Sequence, residues 1–324
     1  MKILIIRLTS MGDIIHSMCV LQFIKEALPN ISIHWLVDEI FSDILKNNPD
    51  IDTIHSISLR KKKGLISRIK EIKIKTKELS NENFDLIIDM QGLLKTAIIS
   101  YLINGKKAGF DKDSIRESIA SLFYDKKITV PYKENIYKRN LKLINDSLCI
   151  SKKELPLENI NKYLFFSEKA KKRASELLST KGKKIVFIPA ASTGERVISI
   201  SMYRKMIKLL PGKKFLTWGN KAEKETSQNI AENLEDTILL PKIDLDTLKA
   251  LISACDLVIG PDTGPSNIPF AVKTPSITIY WDKAKNSNKR NTVNNQNNNS
   301  FSFSDLNDFD ENIIVKKANI LLSN

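Results

Sequence analysis

The chain contains 324 residues and carries a formal net charge of +14, from 51 Lys and Arg against 37 Asp and Glu. Its hydrophobic fraction of 42% excludes a disordered chain, and at roughly 150 residues per domain its length favours two domains. Its three cysteines (Cys19, Cys149 and Cys255) include no C-x-x-C pair, which excludes a disulfide framework and a structural zinc site. The positive charge favours an anionic ligand, and composition alone does not choose among phosphates, nucleic acid and an acidic membrane face.

The N-terminal residues predict neither a secretion signal nor a membrane anchor. Only four apolar residues, 3–6, precede the charge of Arg7, which is too few for the core of a signal peptide. No window of the sequence approaches about 18 uninterrupted apolar residues, so no transmembrane helix is expected. We therefore expect a cytoplasmic protein.

The chain begins with the pattern of a βαβ unit. Residues 2–7 are a short apolar run suited to a buried parallel strand, and a turn follows at residues 9–13. Apolar residues then recur at helical spacing over residues 14–28, until Pro29 stops the pattern. Residues 32–37 form the next apolar run. Strand, helix and strand in this order predict a parallel sheet.

The same alternation continues along the chain and restarts after a break. Further strands are expected at residues 85–89 and 108–110, and in a second series at residues 184–188, 214–218, 237–240, 257–260 and 276–280. Residues 150–165 lack a clear strand and contain Pro156, which places the linker there. We therefore predict an α/β protein with two parallel-sheet domains, residues 1–158 and 159–310. A last helix over residues 311–324 can pack back on the N-terminal domain.

Two segments differ in composition from the rest of the chain. Residues 60–79 are a candidate basic helix, which is either a solvated face or a surface for an anionic acceptor and membrane lipids. Residues 286–299 are dominated by Asn and cannot bury apolar area, so a mobile loop is expected there.

Two loops, one in each predicted domain, run from the carboxyl end of a strand into a helix, where open α/β sheets bind ligands. In the first, residues 9–13, Gly12 permits close backbone approach and the helix dipole favours an ionised Asp13. Such a carboxylate can take a proton from a substrate hydroxyl, or it can only cap the helix. The second loop, residues 260–267, offers backbone donors and a hydroxyl suited to a diphosphate, or it is a plain turn.

Two further loops of the second predicted domain carry candidate residues. After the strand at residues 184–188, the hydroxyls of Ser192 and Thr193 beside Arg196 could neutralise a phosphate. After the next strand, Glu223 could hold a ribose diol. The sequence has neither G-x-G-x-x-G after its first strand nor G-x-x-x-x-G-K-[ST], which weakens a dehydrogenase or P-loop interpretation, and it shows no metal-ligand cluster.

Several motifs together resemble the bacterial lipopolysaccharide heptosyltransferases, glycosyltransferase family 9. The motifs are IIRLTSMGDIIH at residues 5–16, DMQGLLKT at 89–96, RESIASLFY at 116–124 and DTGPS at 262–266. They are ordered and spread over most of the chain. The segment that begins at Arg116 points to the heptosyltransferase I branch.

This resemblance implies a GT-B fold, in which two Rossmann-like domains face each other across a cleft. It implies an inverting transfer of L-glycero-D-manno-heptose from ADP-heptose, bound by the C-terminal domain, to a Kdo residue of Kdo-lipid A, bound by the N-terminal domain. Neither a cofactor nor a metal is implied, and no nucleic acid is expected. The enzyme would act in inner-core synthesis, peripheral on the anionic cytoplasmic face of the inner membrane.

The resemblance also assigns roles to individual residues. Asp13 corresponds to the family's proposed general base. The donor-binding positions are Ser192, Thr193, Arg196, Glu223, Ile243, Asp262, Thr263, Gly264 and Asn267. The acceptor-binding positions are Ser10, Gly12, Arg60, Lys61, Lys63 and Arg116. The chain departs from the family at Asn267, where His is usual, and at Arg196, where the family usually has a Lys followed by an aromatic-Pro pair.

Other functions stay open on the sequence. One is heptosyltransferase II, or another family member with a different sugar acceptor. A second, prompted by Asn267, is a non-catalytic protein that binds a sugar nucleotide. A third, prompted by the positive charge, is a nucleic-acid-binding protein, although no motif or aromatic-interleaved basic patch supports it.

Overall fold

The computed structural model of the protein describes residues 1–62, 64–150, 160–189, 198–281, 294–303 and 309–323. The chain divides into two compact units, Met1–Tyr163 and Leu164–Asn324. Each unit contains one six-stranded sheet in which all neighbouring strands are parallel. The predicted α/β class with two parallel sheets is confirmed. The boundary between the two units lies after Tyr163, whereas the sequence analysis placed it after residue 158.

The sheet of the first unit is built around a fully buried first strand. Its strands are β1 (Lys2–Ile6), β2 (Ser32–Asp38), β3 (Thr53–Ile57), β4 (Leu86–Asp89), β5 (Lys106–Phe110) and β6 (Lys126–Ile128). They are arranged in the order β3-β2-β1-β4-β5-β6. Residues 3–6 are all buried, as expected of a strand covered on both faces by helices.

The helices of the first unit include one break that the periodicity does not reveal. They are α1 (Met11–Met18), α2 (Leu21–Ala27), α3 (Ser42–Leu45), α4 (Leu65–Ser80), α5 (Leu94–Leu102) and α6 (Ile136–Leu148), with 3-10 turns at Glu39–Phe41 and Ser118–Phe123. The single helix predicted over residues 14–28 is therefore wrong. The Val20 N–H bonds to the carbonyl of Ser17, three residues back, so the regular ladder stops there.

The predicted basic helix also starts later than expected. Gly64 has a φ of +85°, a left-handed conformation that favours glycine, and α4 begins only after it. Arg60 and Lys61 consequently lie in the turn that precedes the helix, and Lys63 lies outside the described residues.

The second unit repeats the sheet topology of the first. Its strands are β7 (Lys184–Phe187), β8 (Lys213–Leu216), β9 (Thr237–Leu239), β10 (Leu257–Pro261), β11 (Ser276–Trp281) and β12 (Asn298–Phe303), in the order β12-β11-β10-β7-β8-β9. Counted from its own first strand, each sheet has the order 3-2-1-4-5-6. This is the Rossmann strand order, in which the order of the strands reverses between the first and fourth strands.

The last helix packs in the core of the second unit. The helices of this unit are α7 (Glu168–Leu177), α8 (Ile200–Leu209), α9 (Lys221–Ala231), α10 (Leu245–Ala254), α11 (Ile268–Val272) and α12 (Glu311–Ser323), with a 3-10 turn at Pro265–Asn267. In α12, Ile314 and Ala318 belong to the apolar core that includes Met206 of α8, and Glu311 is 3.0 Å from Lys205. The sequence analysis allowed this helix to pack on the N-terminal domain, but its apolar stripe is buried here instead.

Three strands, β3, β6 and β12, escape the sequence analysis. β3 is partly polar and β6 has only three residues, so neither carries a strong apolar pattern. β12 begins in the Asn-rich segment that was expected to be a mobile loop. There the Asn298 amide donates to the Thr274 carbonyl at 3.0 Å and to the Ser276 hydroxyl at 2.9 Å, so buried hydrogen bonds hold a polar strand. Residues 286–293 lie outside the described part of the chain.

Candidate functional site

The first candidate loop leaves the sheet at its topological switch point. β1 and β4 are neighbours, while the chain leaves β1 towards β2 on its other side. The loops that follow β1 and β4 therefore start side by side at the carboxyl edge of the sheet. Open α/β sheets bind ligands in this crevice. The sequence candidates Ser10, Gly12 and Asp13 all lie here.

Asp13 is held between a buried cation and the start of α1. Its Oδ1 lies 3.0 Å from a guanidinium nitrogen of Arg7, whose side chain is 9% exposed, while the Asp13 side chain is 36% exposed. Its Oδ2 accepts hydrogen bonds from the Ser10 hydroxyl at 2.8 Å and the Ser10 N–H at 3.2 Å. Asp13 thus forms a capping box with Ser10, the N-cap of α1, and also an ion pair, and about a third of its side chain is exposed.

These contacts keep Asp13 ionised. Burial by itself would raise the pKa of the Asp13 carboxyl, but the nearby charges of Arg7 and His16 and the two Ser10 hydrogen bonds hold that pKa below its ordinary value. The carboxylate is therefore negative at neutral pH. Because its orientation is fixed by contacts on both oxygens, it is suited to receive a proton at one position.

The loop after β4 braces the loop after β1. The side-chain oxygen of Gln91 accepts hydrogen bonds from the Leu8 N–H at 2.8 Å and the Thr9 N–H at 3.2 Å, and its amide donates to the Thr9 hydroxyl at 3.2 Å. The Arg7 guanidinium donates to the carbonyl of Met90. The backbone that presents Asp13 is thus positioned largely by the neighbouring strand.

Asp89, at the end of β4, fixes the backbone of the loop that carries Gln91. It is fully buried and accepts hydrogen bonds from the Gln91 N–H at 2.8 Å, the Gly92 N–H at 3.1 Å and the Tyr124 hydroxyl at 2.7 Å. Burial raises the pKa of Asp89, and these hydrogen bonds oppose the rise. The sequence analysis used residues 89–96 as a motif but gave no role to Gln91 or to Arg7. Only the pairing of β1 with β4 reveals their function.

The predicted acceptor residues contact the acidic side chains of neighbouring loops. The Arg60 N–H donates to a carboxylate oxygen of Asp38 at 3.2 Å, and the Arg60 guanidinium lies 5.3 Å from the centre of the Phe41 ring. The Lys61 ammonium is 2.9 Å from a Glu39 carboxylate oxygen. Arg116 is exposed and lies 3.4 Å from Glu117.

Lys95 joins these residues into one positively charged edge. It lies in the first turn of α5, and burial, followed by the nearby charges of Arg60 and Arg68, lowers the pKa of its ammonium against the opposing effect of Asp38 and Glu117. Arg68 belongs to the basic segment 60–79 of the sequence analysis, whereas Lys95 was not predicted, because 35 residues separate it from Arg60 along the chain. An anionic ligand would relieve the mutual repulsion of these cations.

The second candidate loop follows β10, which flanks the switch point of the second sheet beside β7. Some of its polar groups form hydrogen bonds within their own turn, and the Asp262 N–H donates to the Ile279 carbonyl of β11 at 3.1 Å. The Thr263 and Ser266 hydroxyls are 3.2 Å apart, and the Asn267 amide donates to the Thr263 carbonyl at 2.8 Å. Asp262 starts this turn, and Gly264 precedes the 3-10 turn opened by Pro265.

Gly260 brings this loop close to the one that follows β7. A Cβ added at Gly260 would lie 3.0 Å from both the Cβ of Ile188 and the hydroxyl of Ser266. A larger residue at this position would therefore require its neighbours at the carboxyl ends of β7 and β10 to shift by a few tenths of an ångström. The predicted residues Ser192, Thr193 and Arg196 follow β7 and lie outside the described residues.

The remaining donor-site candidates follow β8 and β9. The Glu223 side chain accepts a hydrogen bond from the Gly219 N–H at 2.6 Å, and the Glu223 N–H donates to the side chain of Asn220, the N-cap of α9, at 3.0 Å. Ile243 lines a cavity of about 470 Å³ within the second unit, together with Arg173 and Lys242. Carboxylate, apolar and cationic groups thus follow successive strands at one edge of this sheet.

Comparison with known proteins identifies the family. Residues 74–318 match the family model described as glycosyltransferase family 9 (heptosyltransferase). The chain belongs to glycosyltransferase family 9. It is 39% identical to lipopolysaccharide heptosyltransferase 1 of Campylobacter coli, over 86% of this chain and 84% of that protein. It is 30% identical to lipopolysaccharide heptosyltransferase 1 of Escherichia coli strain K12, over 86% of this chain and 88% of that one.

A solved relative supports the fold and the type of enzyme. The structure of E. coli heptosyltransferase WaaC with ADP-2-deoxy-2-fluoro heptose has a TM-score of 0.83 and 26% sequence identity to this chain, and the match covers 99% of each. This family 9 chain is therefore a glycosyltransferase of GT-B type, built from two Rossmann-like units. No helix in the described ranges is long and apolar enough to cross a bilayer.

No group of three or more His, Cys, Asp and Glu side chains in the described part of the chain is placed to hold a metal ion. Metal-independent transfer stays a prediction for this family 9 member. Asn267, which the sequence analysis assigned to a position where the family usually has His, donates its amide to the Thr263 carbonyl within the turn.

Proposed function

We propose that this chain is a lipopolysaccharide heptosyltransferase I, which transfers L-glycero-D-manno-heptose from ADP-heptose to a Kdo residue of Kdo-lipid A. The observation that carries the proposal is the 39% identity, over 86% of the chain, to a lipopolysaccharide heptosyltransferase 1. The ionised Asp13 at the switch point of the first sheet supports it, because such a transfer needs a base positioned for a sugar hydroxyl.

Asp13 acts as the general base of the proposed reaction. It takes the proton of the attacking Kdo hydroxyl, whose oxygen forms a bond to the anomeric carbon of the heptose. The bond from that carbon to the ADP oxygen breaks on the opposite side, so the configuration inverts. Since Arg7 keeps the pKa of Asp13 low, the carboxylate accepts the proton only as the new C–O bond forms and the hydroxyl becomes acidic.

The second unit binds the donor in this proposal. Glu223 holds the ribose, and Ile243 packs near the adenine base of ADP. The turn from Asp262 through Thr263 and Gly264 to Asn267 contacts the diphosphate. Negative charge grows on the leaving diphosphate in the transition state, so hydroxyl and amide donors there accelerate the reaction. Ser192, Thr193 and Arg196 complete the set of donor residues, and Arg196 can clamp a diphosphate through two hydrogen bonds.

The first unit binds the acceptor. Ser10 and Gly12 lie beside the proposed general base, Asp13. The positively charged edge contacts the anionic acceptor through Arg60, Lys61, Lys63 and Arg116. Lys95 extends this set, because its ammonium already lies near Arg60. We also propose that the enzyme works on the cytoplasmic face of the inner membrane, where the same positive charges contact anionic lipids.

The deciding experiment measures ADP release from ADP-heptose with two acceptors, Kdo-lipid A and heptosyl-Kdo-lipid A. We expect release with Kdo-lipid A alone. Release with only the heptosylated acceptor would instead assign the chain to heptosyltransferase II. Binding of ADP-heptose without release in either case would favour the non-catalytic sugar-nucleotide-binding protein.

A further inference from the structure

The heptad stripe of α4 extends past the core that it packs against. The residues Leu65, Ile69, Ile72, Thr76 and Leu79 follow each other at intervals of four and three, so they lie along one face of the helix. The end of this stripe is buried at Thr76 and Leu79, and Ile72 packs partly against the same core. None of the described residues of α4 that precede Thr76 is buried. The first half of the helix therefore projects beyond the core.

Three large apolar side chains are exposed on this projecting half. Leu65 is 73% exposed, Ile66 is 85% exposed and Ile69 is 44% exposed. Single exposed apolar residues are ordinary, but three neighbours at the start of one helix form a patch that favours contact with another apolar phase. We call Leu65, Ile66 and Ile69 the α4 patch.

Positive charge surrounds the α4 patch. Residues 60–73 contain seven Lys and Arg against one Glu. Glu71 lies 3.9 Å from Lys62 and Glu39 lies 2.9 Å from Lys61, so these two carboxylates offset only part of the positive charge of the segment. Apolar side chains within a basic segment are the combination that binds an anionic lipid surface, where the cations meet headgroups and the apolar groups enter the interface.

We propose that the α4 patch inserts into an anionic lipid bilayer and anchors the first unit there. The choice of a bilayer rests on charge complementarity, because two copies of this basic segment facing each other would repel. It also rests on the proposed function, which requires the enzyme to meet a lipid-linked acceptor. The patch lies beside the edge that carries Arg60, Arg68 and Lys95, so insertion would bring that edge to the headgroup layer.

The test compares matched isoleucine variants of one helix. Ile66 belongs to the α4 patch, while Ile74 is 56% exposed and lies about 12 Å further along the helix, beside its buried end at Thr76 and Leu79. The full-length protein, Ile66→Ser, Leu65→Ser and Ile74→Ser are each sedimented with vesicles of phosphatidylcholine containing phosphatidylglycerol, and with pure phosphatidylcholine. We expect Ile66→Ser and Leu65→Ser each to weaken binding to the anionic vesicles by about fivefold, since each removes a large apolar group from the interface. Ile74→Ser should stay within about twofold of the parent.

Insertion is measured separately from adhesion. Tryptophan placed at position 66 (Ile66→Trp) should be quenched by brominated lipids in anionic vesicles, whereas tryptophan at position 74 (Ile74→Trp) should not. Equal quenching at both positions, or vesicle binding that Ile66→Ser leaves unchanged, would overturn the proposal in favour of purely electrostatic adhesion. Absence of vesicle binding overturns it as well. Self-association of the parent that Ile66→Ser abolishes would instead assign the patch to a contact between two copies.

An activity measurement separates failure of the anchor from failure of the proposed function. Ile66→Ser should release ADP at the parental rate with a water-soluble, deacylated Kdo acceptor. With Kdo-lipid A in vesicles its rate should fall about fivefold, in parallel with its binding. If neither protein releases ADP with either acceptor, the proposed function is wrong, and the vesicle and quenching results still decide whether the patch inserts.

Discussion

The loop after β1 and the loop after β10 flank the switch points of two sheets with the same strand order, yet they are held in different ways. In the first loop, Asp13 forms an ion pair with the buried Arg7, and the backbone N–H of Leu8 donates a hydrogen bond to the side chain of Gln91, which follows the neighbouring strand β4. In the second loop, the Thr263 and Asn267 side chains form hydrogen bonds within their own turn, and the backbone is tied to β11 through the Asp262 N–H, which donates to the Ile279 carbonyl at 3.1 Å. The carboxylate proposed as the base is thus oriented by side chains distant in sequence, whereas the side-chain hydrogen bonds of the second turn include local ones.

Removal of Asp13 should abolish proton transfer at the loop after β1 and leave ADP binding at the loop after β10 unchanged. We expect Asp13→Ala to lower turnover by at least about a hundredfold, because the proton of the acceptor hydroxyl then has no base. Binding of ADP, measured by calorimetry, should be unchanged. The lost helix cap should cost about 1 kcal/mol of stability, which thermal denaturation can check. Near-normal turnover would exclude Asp13 as the base.

Removal of the brace tests whether tertiary contacts position the base. Gln91→Ala deletes the hydrogen bonds to Leu8 and Thr9 but leaves Asp13 in place. Turnover should fall about tenfold, since a small displacement of a catalytic group is costly, while ADP affinity stays the same. Gln22→Ala is the matched control, because the Gln22 side chain accepts a hydrogen bond from the Asn161 N–H and donates one to the Cys19 carbonyl, and both partners lie outside the loop after β1. Equal effects from the two variants would contradict a positioning role for Gln91.

A smaller effect is expected in the second loop. Asn267→Ala removes the amide that donates to the Thr263 carbonyl. Because this bond closes the turn, the affinity for ADP should fall about fivefold, the loss of one ordinary hydrogen bond. Titration of the variant with ADP checks this. An unchanged affinity, with normal turnover, would show that the turn keeps its geometry without Asn267.

The two units should also differ mildly in their response to acid, because all three histidines lie in the first unit. His34 and His55 form a hydrogen-bonded pair at 2.8 Å, and burial, with the proximity of His34, lowers the pKa of His55 to about 4. The unfolded chain takes up a proton at this histidine below a pH of about 6.5, while the folded chain stays neutral there until a pH of about 4. The contribution of neutral His55 to the free energy of unfolding is therefore fully present above a pH of about 6.5, and it decreases as the pH falls from about 6.5 to about 4.

Denaturation of the full-length protein at several pH values measures this loss. The slope should approach at most about 1.4 kcal/mol per pH unit for one proton. His55→Gln, which removes the titrating group, should flatten the decline below pH 6.5. A decline of the same steepness in that variant would assign the acid sensitivity to other groups.

Much of the architecture could be predicted from local patterns. Apolar runs such as residues 184–188 placed nine strands, and the position of Asp13 after the first of them marked the candidate site. Weak patterns hid β3, β6 and β12, since a strand that pairs through its backbone needs no apolar side chains. The break between α1 and α2 was hidden for the opposite reason, because the apolar spacing continues across it.

The sequence by itself determined the two-sheet α/β class, the motifs of glycosyltransferase family 9 and the candidate residues Asp13, Asp262 and Thr263. Only the tertiary structure decided which side chains from distant parts of the sequence position these residues and change their pKa values. Gln91 is 82 residues from Thr9 along the chain, and the pairing of β1 with β4 alone brings the two together. Lys95 likewise lies close enough to Arg60 for their charges to repel, although 35 residues separate the two along the chain. Charge and hydrogen-bond geometry depend on distance in space, which the parallel sheet sets.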